Sequence, residues 1–471
     1  MTNLITTDQK RLIVGMGQTG ISCARFLTAK GLSFDMCDTR EVLPNQDAIA
    51  VEFSNSQIIN GALDGSLLAQ YQELIVSPGI AIAEPAIAYA KQQGCRVRGD
   101  VDIFAEYVTK PVIGITGSNG KSTVTTLVGE ILAMAGHKPA VCGNIGIPVL
   151  DVLLNDDDYL CYVVELSSFQ LETTHHLAAE VACVLNISED HMDRYDSMMS
   201  YHQAKHRVFQ GCRSIVVNRE DSLTQPLVSD SMPKRSFGLQ LAENSVAAKN
   251  QYSIAAIEAD FTKNNSAGEY LMFEQRPLFP VAELKIKGRH NQLNALAAIA
   301  LIESLPNKFD VSSVQLSQVL SQFTGLPHRC AWVAEQEGVQ YFNDSKGTNV
   351  GSTLAAIEGL AKGDERNLIL IAGGVGKDQD FVPLADVCHK SVKRAILFGR
   401  DAQVISKDLK KSTDIIVVGT LADALKQARL IARAGEIILF SPACASFDQY
   451  SNYVKRGEAF ECLVKEVADD R

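Results

Sequence analysis

The chain has 471 residues, 46% hydrophobic and 21% charged, enough apolar material for about three domains; a disordered or fibrous protein is excluded. Its 44 basic residues face 55 acidic ones, a net charge of −11 with no long basic run, so neither a nucleic-acid nor a membrane partner is expected. The eleven cysteines are scattered without a Cys-x-x-Cys pair, and Cys161 and Cys183 lie in apolar runs as small core residues, which suits a reducing compartment. The N-terminal stretch has no apolar signal core, and no run approaches the roughly 18 apolar residues of a membrane span. A soluble, cytoplasmic, multidomain protein is the expectation.

Short β-branched runs alternate with helical patterns throughout, the sign of an α/β fold. A strand at Arg11–Gly15 leads through a glycine turn into a helix from about Thr19 to Ala29. Strands at Phe34–Cys37 and Glu73–Val76 follow, and the three make one doubly wound unit of about a hundred residues. After Pro111 a strand at Val112–Thr116 feeds a second glycine loop. Val124, Leu127, Val128, Ile131 and Leu132 then share one helix face, which Gly136 ends. Strands are expected at Tyr159–Val164, Val181–Ile187 and Ser214–Asn218. The polar stretch from about Arg219 to Phe279 gives no periodic cue, and an alanine-rich helix begins near Asn291. Past Pro327, strands at Val339–Asn343, Leu368–Ala372, Ala395–Gly399, Ile415–Gly419 and Glu436–Phe440 form a third α/β unit. The expected division is 1–99, 100–325 and 326–471.

The most specific motif is the second glycine loop, Thr116-Gly-Ser-Asn-Gly-Lys-Ser-Thr123, set between a buried strand and an amphipathic helix. In a P-loop the backbone amides of such a segment and the helix N-terminus cradle phosphates. Lys121 would then place its charge on the terminal phosphates and Ser122 would offer a hydroxyl to Mg²⁺. Ile115 stands where the common P-loop spacing has its first glycine. The N-terminal fingerprint Gly15-x-Gly17-x-x-Gly20, with Asp38 closing the next strand, suits a pyrophosphate ligand such as a dinucleotide or a UDP-sugar; a structural turn is the alternative.

Glu165 ends its strand and His191 lies just beyond the next one, while Lys205 follows on a helical stretch. Strand C-termini of an open parallel sheet point into the ligand crevice, so Glu165 and His191 could both reach a metal near the γ-phosphate. A hydrogen-bonded structural histidine is as good a reading of His191. In the third unit, loops 343–349, 372–377 and 441–447 each follow a strand, and Lys346 and Lys377 bring two cations suited to an anionic substrate.

The segments TGSNGKST, ELSSFQLE, EDHMDRY, GRHNQLNALAA, GLPHR, NDSKGTN and SPACASFDQY, in this order, resemble the Mur ligase family along the whole chain. The Asp-Asn-Pro-Arg stretch of that family's diaminopimelate or lysine adders is missing. The resemblance implies three domains: a Rossmann-like N-terminal domain, a central P-loop domain with a parallel sheet, and a Rossmann-like C-terminal domain. It implies an ATP- and Mg²⁺-dependent ligase, expected to be a monomer, that adds D-glutamate to UDP-N-acetylmuramoyl-L-alanine in cytoplasmic peptidoglycan precursor synthesis.

Residue by residue, the resemblance assigns Gln18, Thr19, Asp38, Thr39, Arg40, Ser77 and Gly79 to the uridine diphosphate. Asn144, Ser167, Gln170 and His191 go to the muramoyl-alanine part. Gly117, Ser118, Asn119, Gly120, Lys121, Ser122 and Thr123 take phosphate, with Asn291, Asn294, His328, Arg329, Asp344 and Lys346 around the rest of ATP. Glu165 and Ser122 are implied for one Mg²⁺, and His191 with a carbamylated Lys205 for a second. Thr348, Lys377, Ser446, Phe447 and Tyr453 are implied for D-glutamate. The catalytic set is thus Lys121, Glu165, His191, Lys205 and Arg329. The competing readings are another amino-acid-adding ligase of the family, a nucleotide-binding sensor, and an NAD-linked oxidoreductase using the first fingerprint.

Overall fold

The computed structural model describes residues 9–155, 158–240, 250–257, 267–361 and 365–469, so the polar N-terminal stretch and parts of the 219–279 region lie outside the described residues. Three open sheets follow one another along the chain. The first is wholly parallel, with strands β1 (Arg11–Val14), β2 (Asp35–Asp38), β3 (Ile58–Asn60), β4 (Glu73–Val76) and β5 (Arg96–Arg98) in the order β3-β2-β1-β4-β5.

The second sheet holds β6 (Val112–Thr116), β7 (Pro139–Gly143), β8 (Cys161–Glu165), β9 (Val181–Val184), β10 (Ile215–Asn218), β11 (Lys234–Phe237), β12 (Gln251–Ile257), β13 (Gly268–Phe273) and β14 (Arg276–Pro280). Their order is β14-β13-β12-β11-β10-β9-β6-β8-β7, parallel from β7 to β12 and antiparallel beyond. The third contains β15 (Ala331–Gln336), β16 (Val339–Asn343), β17 (Leu368–Gly373), β18 (Val392–Phe398), β19 (Asp414–Val417) and β20 (Ile437–Phe440), ordered β15-β16-β20-β17-β18-β19 with only β15 antiparallel.

Strands with both faces covered read as continuous apolar runs, and β1, β4, β6, β8 and β20 are buried at every residue. The region without periodic cues is the far edge of the central sheet. There Lys234–Phe237 has one buried residue out of four, and β13 and β14 pair as a hairpin turned at Glu274, φ +54°. The short edge strands β3 and β5 were equally silent in the sequence because their residues are mostly half-exposed.

On the helix Lys121–Met134, the five residues expected to share a face are all fully buried. That helix packs beside Arg289–Ile302, in which every residue from Asn294 onward is buried and the alanines allow close approach. The first and central sheets are not independent bodies. Cys23, Phe26 and Leu27 of the helix Gln18–Ala29 share one apolar cluster with Phe104, Val149 and Val152. All eleven cysteines are free thiols, nine of them buried. Among the described residues no helix is long and apolar enough to cross a membrane.

Candidate active site

Each sheet has one strand whose two neighbours leave it in opposite chain directions, and at that point the loops diverge and leave a crevice. In the first sheet the strand is β1, between β2 and β4. Their ends supply Gly15–Thr19, Asp38–Arg40 and Ser77–Gly79, which line one cleft together with Asn144 and Gln170. All seven residues expected around the uridine diphosphate, Gln18, Thr19, Asp38, Thr39, Arg40, Ser77 and Gly79, line it, as do Asn144 and Gln170, two of the four expected around the muramoyl-alanine part. Gly20 has to be glycine, because a Cβ would collide with the Gly15 carbonyl. Asp38 is buried, and its carboxylate accepts the Met16 N–H (2.7 Å) and the Arg40 N–H (3.0 Å) and Nε–H (2.8 Å). With its oxygens so engaged, it fixes the turn and aims Arg40 over the cleft. Burial would raise the Asp38 pKa, but the bonds from Arg40 and Met16 bring it down to about 2.

In the central sheet the strand is β6, between β8 and β9, so the P-loop, Glu165 and the segment 186–191 emerge side by side. The P-loop is tied to the end of β9: Ser118 N–H donates to Asn186 O (2.9 Å), Asn119 N–H to Asn186 Oδ1 (2.8 Å), and Ser118 Oγ to Ser188 O (2.9 Å). Gly120 takes φ +81°, and a Cβ there would press on the Asn294 side chain. Lys121 Nζ folds back onto Gly117 O (2.7 Å) and Ser118 O (2.9 Å), and Lys205 Nζ donates to the same Gly117 carbonyl (2.8 Å). Burial, then the Lys121 charge, pushes the Lys205 pKa well below the ordinary lysine value; burial also lowers Lys121.

Glu165 is buried; Oε1 accepts from Asn144 Nδ2 (2.7 Å), and Oε2 has no hydrogen-bond partner among the described residues. An orphaned carboxylate oxygen in a buried cavity is what an oxygen-seeking cation would satisfy. Among the described residues no three of His, Cys, Asp and Glu gather into a metal cluster. A single free carboxylate oxygen, as on Glu165, fits Mg²⁺, which relies on phosphate oxygens and water for most of its shell. His191 adopts φ +59° and is pulled down to about 4, first by burial and only partly restored by Asp190 at 3.5 Å.

In the third sheet β20 inserts between β16 and β17, which brings loops 343–349, 372–377 and 441–447 together. They face the P-loop across a cavity of about 600 Å³. Lys377 pairs with Asp190 at 2.6 Å, both side chains about 10% exposed, and Asn349 Nδ2 donates to Asp190 Oδ2 (3.1 Å) and Asn119 Oδ1 (3.2 Å). Arg329 Nη2 donates to Ser122 Oγ (2.7 Å). Lys346 lies 3.8 Å over the Tyr453 ring, and burial followed by the Arg329 charge lowers its pKa to about 7. Burial raises Asp344 to about 7, although Ser441 Oγ (2.6 Å) and Cys330 N (3.0 Å) donate to it.

The cavity has two side openings. Gly79 and Asn144 line both it and the first cleft, whereas Asn119, Gly120, Arg329 and Lys346 line both it and a second cleft. The second cleft also carries Thr123, Asn291, Asn294 and Asp344. Of the expected residues, Ser118, Lys121, Glu165, Ser167, His191, Lys205, Thr348, Lys377, Ser446, Phe447 and Tyr453 line the central cavity.

Family models match consecutive stretches of the chain: Mur ligase MurD-like, N-terminal domain, at residues 9–99; Mur ligase middle domain at 115–302; and Mur ligase, glutamate ligase domain, at 328–444. The UDP-N-acetylmuramoylalanine–D-glutamate ligase of Pseudomonas fluorescens is 46% identical over 466 residues, 99% of this chain and 100% of that protein. The chain belongs to the Mur ligase family. Solved Mur ligases share the fold at low identity. The UDP-N-acetylmuramate–alanine ligase of Thermotoga maritima superposes with a TM-score of 0.56 at 16% identity, covering 98% of this chain and 100% of that one. The MurF ligase of Thermotoga maritima in complex with ADP gives 0.54 at 13% identity, over 98% and 96%.

Within this Mur ligase, three expected residues line none of the three spaces. Gly117 and Ser122 act through the contacts above. His328 is packed under the third domain's loops, with Nδ1 2.9 Å from Asn343 Nδ2 and its ring against Gly457; its carbonyl accepts the Lys346 N–H (3.0 Å). Its place beside Arg329 in the chain gave no sign of that inward turn. Sequence reasoning missed Asp190 and Asn349, although each adjoins a quoted motif residue. It also missed Tyr201, which bonds Ser118 (3.1 Å), and Arg194.

The depressed Asp38 pKa has a defined consequence. Its stabilisation is fully present above the unfolded value, about pH 4, and is lost as pH falls through about 2. Asp38→Asn should lower stability at neutral pH and flatten the acid decline between those limits, as read by denaturant unfolding at a series of pH values.

Proposed function

We propose that the protein joins D-glutamate to UDP-N-acetylmuramoyl-L-alanine at the expense of ATP, through an acyl phosphate, in peptidoglycan precursor synthesis. The observation that carries this reading is the run of three connected spaces: a nucleotide cleft, a cation-lined cavity and a pyrophosphate-type cleft, with Lys121 in the cavity and Arg329 where it meets the nucleotide cleft. The relatives named for this reaction, similar over nearly the whole chain, support the choice of substrates. The reading takes the chain as a cytoplasmic monomer, with a UDP-binding domain (1–99), a central ATP domain (100–325) and an acceptor domain (326–471).

A carboxylate is a poor acyl donor because oxide would have to leave. The binding groups of the first cleft would hold the uridine diphosphate, and Asn144, Ser167, Gln170 and His191 would steer the alanyl carboxylate into the cavity. The P-loop amides hold the ATP phosphates at the helix N-terminus, while Asn291, Asn294, Asp344 and Lys346 take the remainder of the nucleotide. One carboxylate oxygen attacks the γ-phosphorus and ADP departs. Lys121, and Arg329 reaching over from the third domain, neutralise charge on the transferred group. The D-glutamate amine, placed by Thr348, Lys377, Ser446, Phe447 and Tyr453, then attacks the acyl carbon. The tetrahedral adduct expels phosphate together with the oxygen that the substrate carboxylate contributed.

Glu165 and Ser122 would hold Mg²⁺, with His191 and a carbamylated Lys205 for a second ion; bound there, Mg²⁺ supplies further neutralisation of the phosphate oxygens. Burial and the neighbouring Lys121 charge lower the Lys205 pKa and so favour the uncharged amine, the form that takes up CO₂.

An isotope experiment tests this route. With ¹⁸O in the alanyl carboxylate, label is expected in the released phosphate; unlabelled phosphate would exclude the acyl phosphate. Lys121→Ala should cost on the order of 10³-fold in kcat, or ~4 kcal/mol of transition-state stabilisation, and near-normal turnover would remove the P-loop assignment.

A further inference from the structure

Arg194 ties the turn after β9 to a loop of the first domain. It follows His191 in the turn after β9, where Arg194 N–H and Tyr195 N–H both donate to the His191 carbonyl (2.9 and 3.1 Å) and close the loop around the left-handed His191 backbone. Its guanidinium is clamped by Glu172, Nε to Oε1 at 3.2 Å and Nη2 to Oε2 at 2.6 Å, with both side chains nearly buried. The other N–H groups cross to the first domain, Nη1 to Pro78 O (2.8 Å) and Nη2 to Ile80 O (3.2 Å). The plane of the fork lies 4.0 Å over the Phe169 ring, and Phe169 in turn packs edge-on against the His191 ring at 4.7 Å.

The two carbonyls it captures flank Gly79, which lines both the first cleft and the central cavity. Only a planar five-donor group can grip a carboxylate in bidentate fashion, bond two carbonyls and stack on a ring at once. We propose that Arg194 is a positioning residue that locks the 77–80 loop of the UDP-binding domain to the turn bearing His191. It thereby sets the distance between the nucleotide anchor and the reacting carboxylate. An in-line transfer is sensitive to displacements of about 1 Å, so this cross-domain register acts on turnover without touching the reacting atoms.

The inference rests on UDP-N-acetylmuramoyl-L-alanine being the substrate, and kinetics of Arg194→Met and Arg194→Lys, with calorimetric binding of UDP, separate the two claims. UDP alone needs only the first cleft, so its Kd should stay within about twofold in both variants, as should the KM for D-glutamate. Arg194→Met should raise the KM for the nucleotide sugar about tenfold and lower kcat by a similar factor, with partial recovery in Arg194→Lys, which can reach a single carbonyl. Unchanged KM and kcat in Arg194→Met would overturn the inference. So would a UDP Kd that rises in step with the KM, since the contact would then only fold the first domain's own loop. If Arg194→Met does not fold, Glu172→Gln loosens the same clamp and should move KM and kcat about threefold in the same direction; no change overturns the proposal. A wild-type protein that fails to turn over the nucleotide sugar removes the substrate assignment and this inference with it. An active wild type with indifferent variants removes the inference alone.

Discussion

The whole site depends on where the strand order reverses in three parallel sheets. At such a point adjacent connections leave on opposite faces, so backbone amides and side chains at the strand ends are left facing a crevice instead of a covering helix. Here β1, β6 and the β16-β20-β17 trio each supply three neighbouring loops, and the three crevices adjoin. In the proposed function a nucleotide sugar, ATP and an amino acid would enter from different sides, with the ATP cleft lined by both the central and third domains, and their reactive ends would meet in one cavity.

That cavity is dominated by cations. Lys121, Lys205, Lys346, Lys377 and Arg329 line it with Glu165, Asp190 and Asp193. Like charges held out of water depress one another, which is why burial and neighbouring cations lower Lys205 and Lys346 together. The protein offsets part of this internally: Lys121 and Lys205 share the Gly117 carbonyl, and Asp190 pairs with Lys377. In the proposed reaction a triphosphate and a dicarboxylate would bring the compensating negative charge, so that binding would relieve the charge. The Asp190, Asn349 and Arg329 contacts show how the third domain reaches the central one to complete the set.

Much of this was legible in the sequence, for identifiable reasons. Buried parallel strands are nearly continuous apolar runs, so Glu73–Val76 and Val112–Thr116 could be placed to the residue; Val339–Asn343, buried at alternate positions, was placed as closely. The loops after them carry Gly, Lys and Asn in patterns that only phosphate binding or tight turns require. What could not be read was partnering. β11 to β14 form the outer part of the central sheet, and β11 and β14 have one buried residue each, so their pairing is set by the sheet and not by their own periodicity. Asp38 reads as a ribose acid but is engaged by Met16 and Arg40, and His328 turns inward beside an Arg329 that faces the cavity. Arg194 is one letter in a motif until the first domain's carbonyls appear beside it.

In the proposed function one cavity couples ATP cleavage to a nucleotide sugar and an amino acid of defined handedness. Phosphate release from ATP and Mg²⁺, measured with UDP-N-acetylmuramoyl-L-alanine and either D-glutamate, L-glutamate or no amino acid, addresses it directly. Sustained release is expected only with the nucleotide sugar and D-glutamate together. Equal release with L-glutamate, or release that ignores the nucleotide sugar, would contradict it.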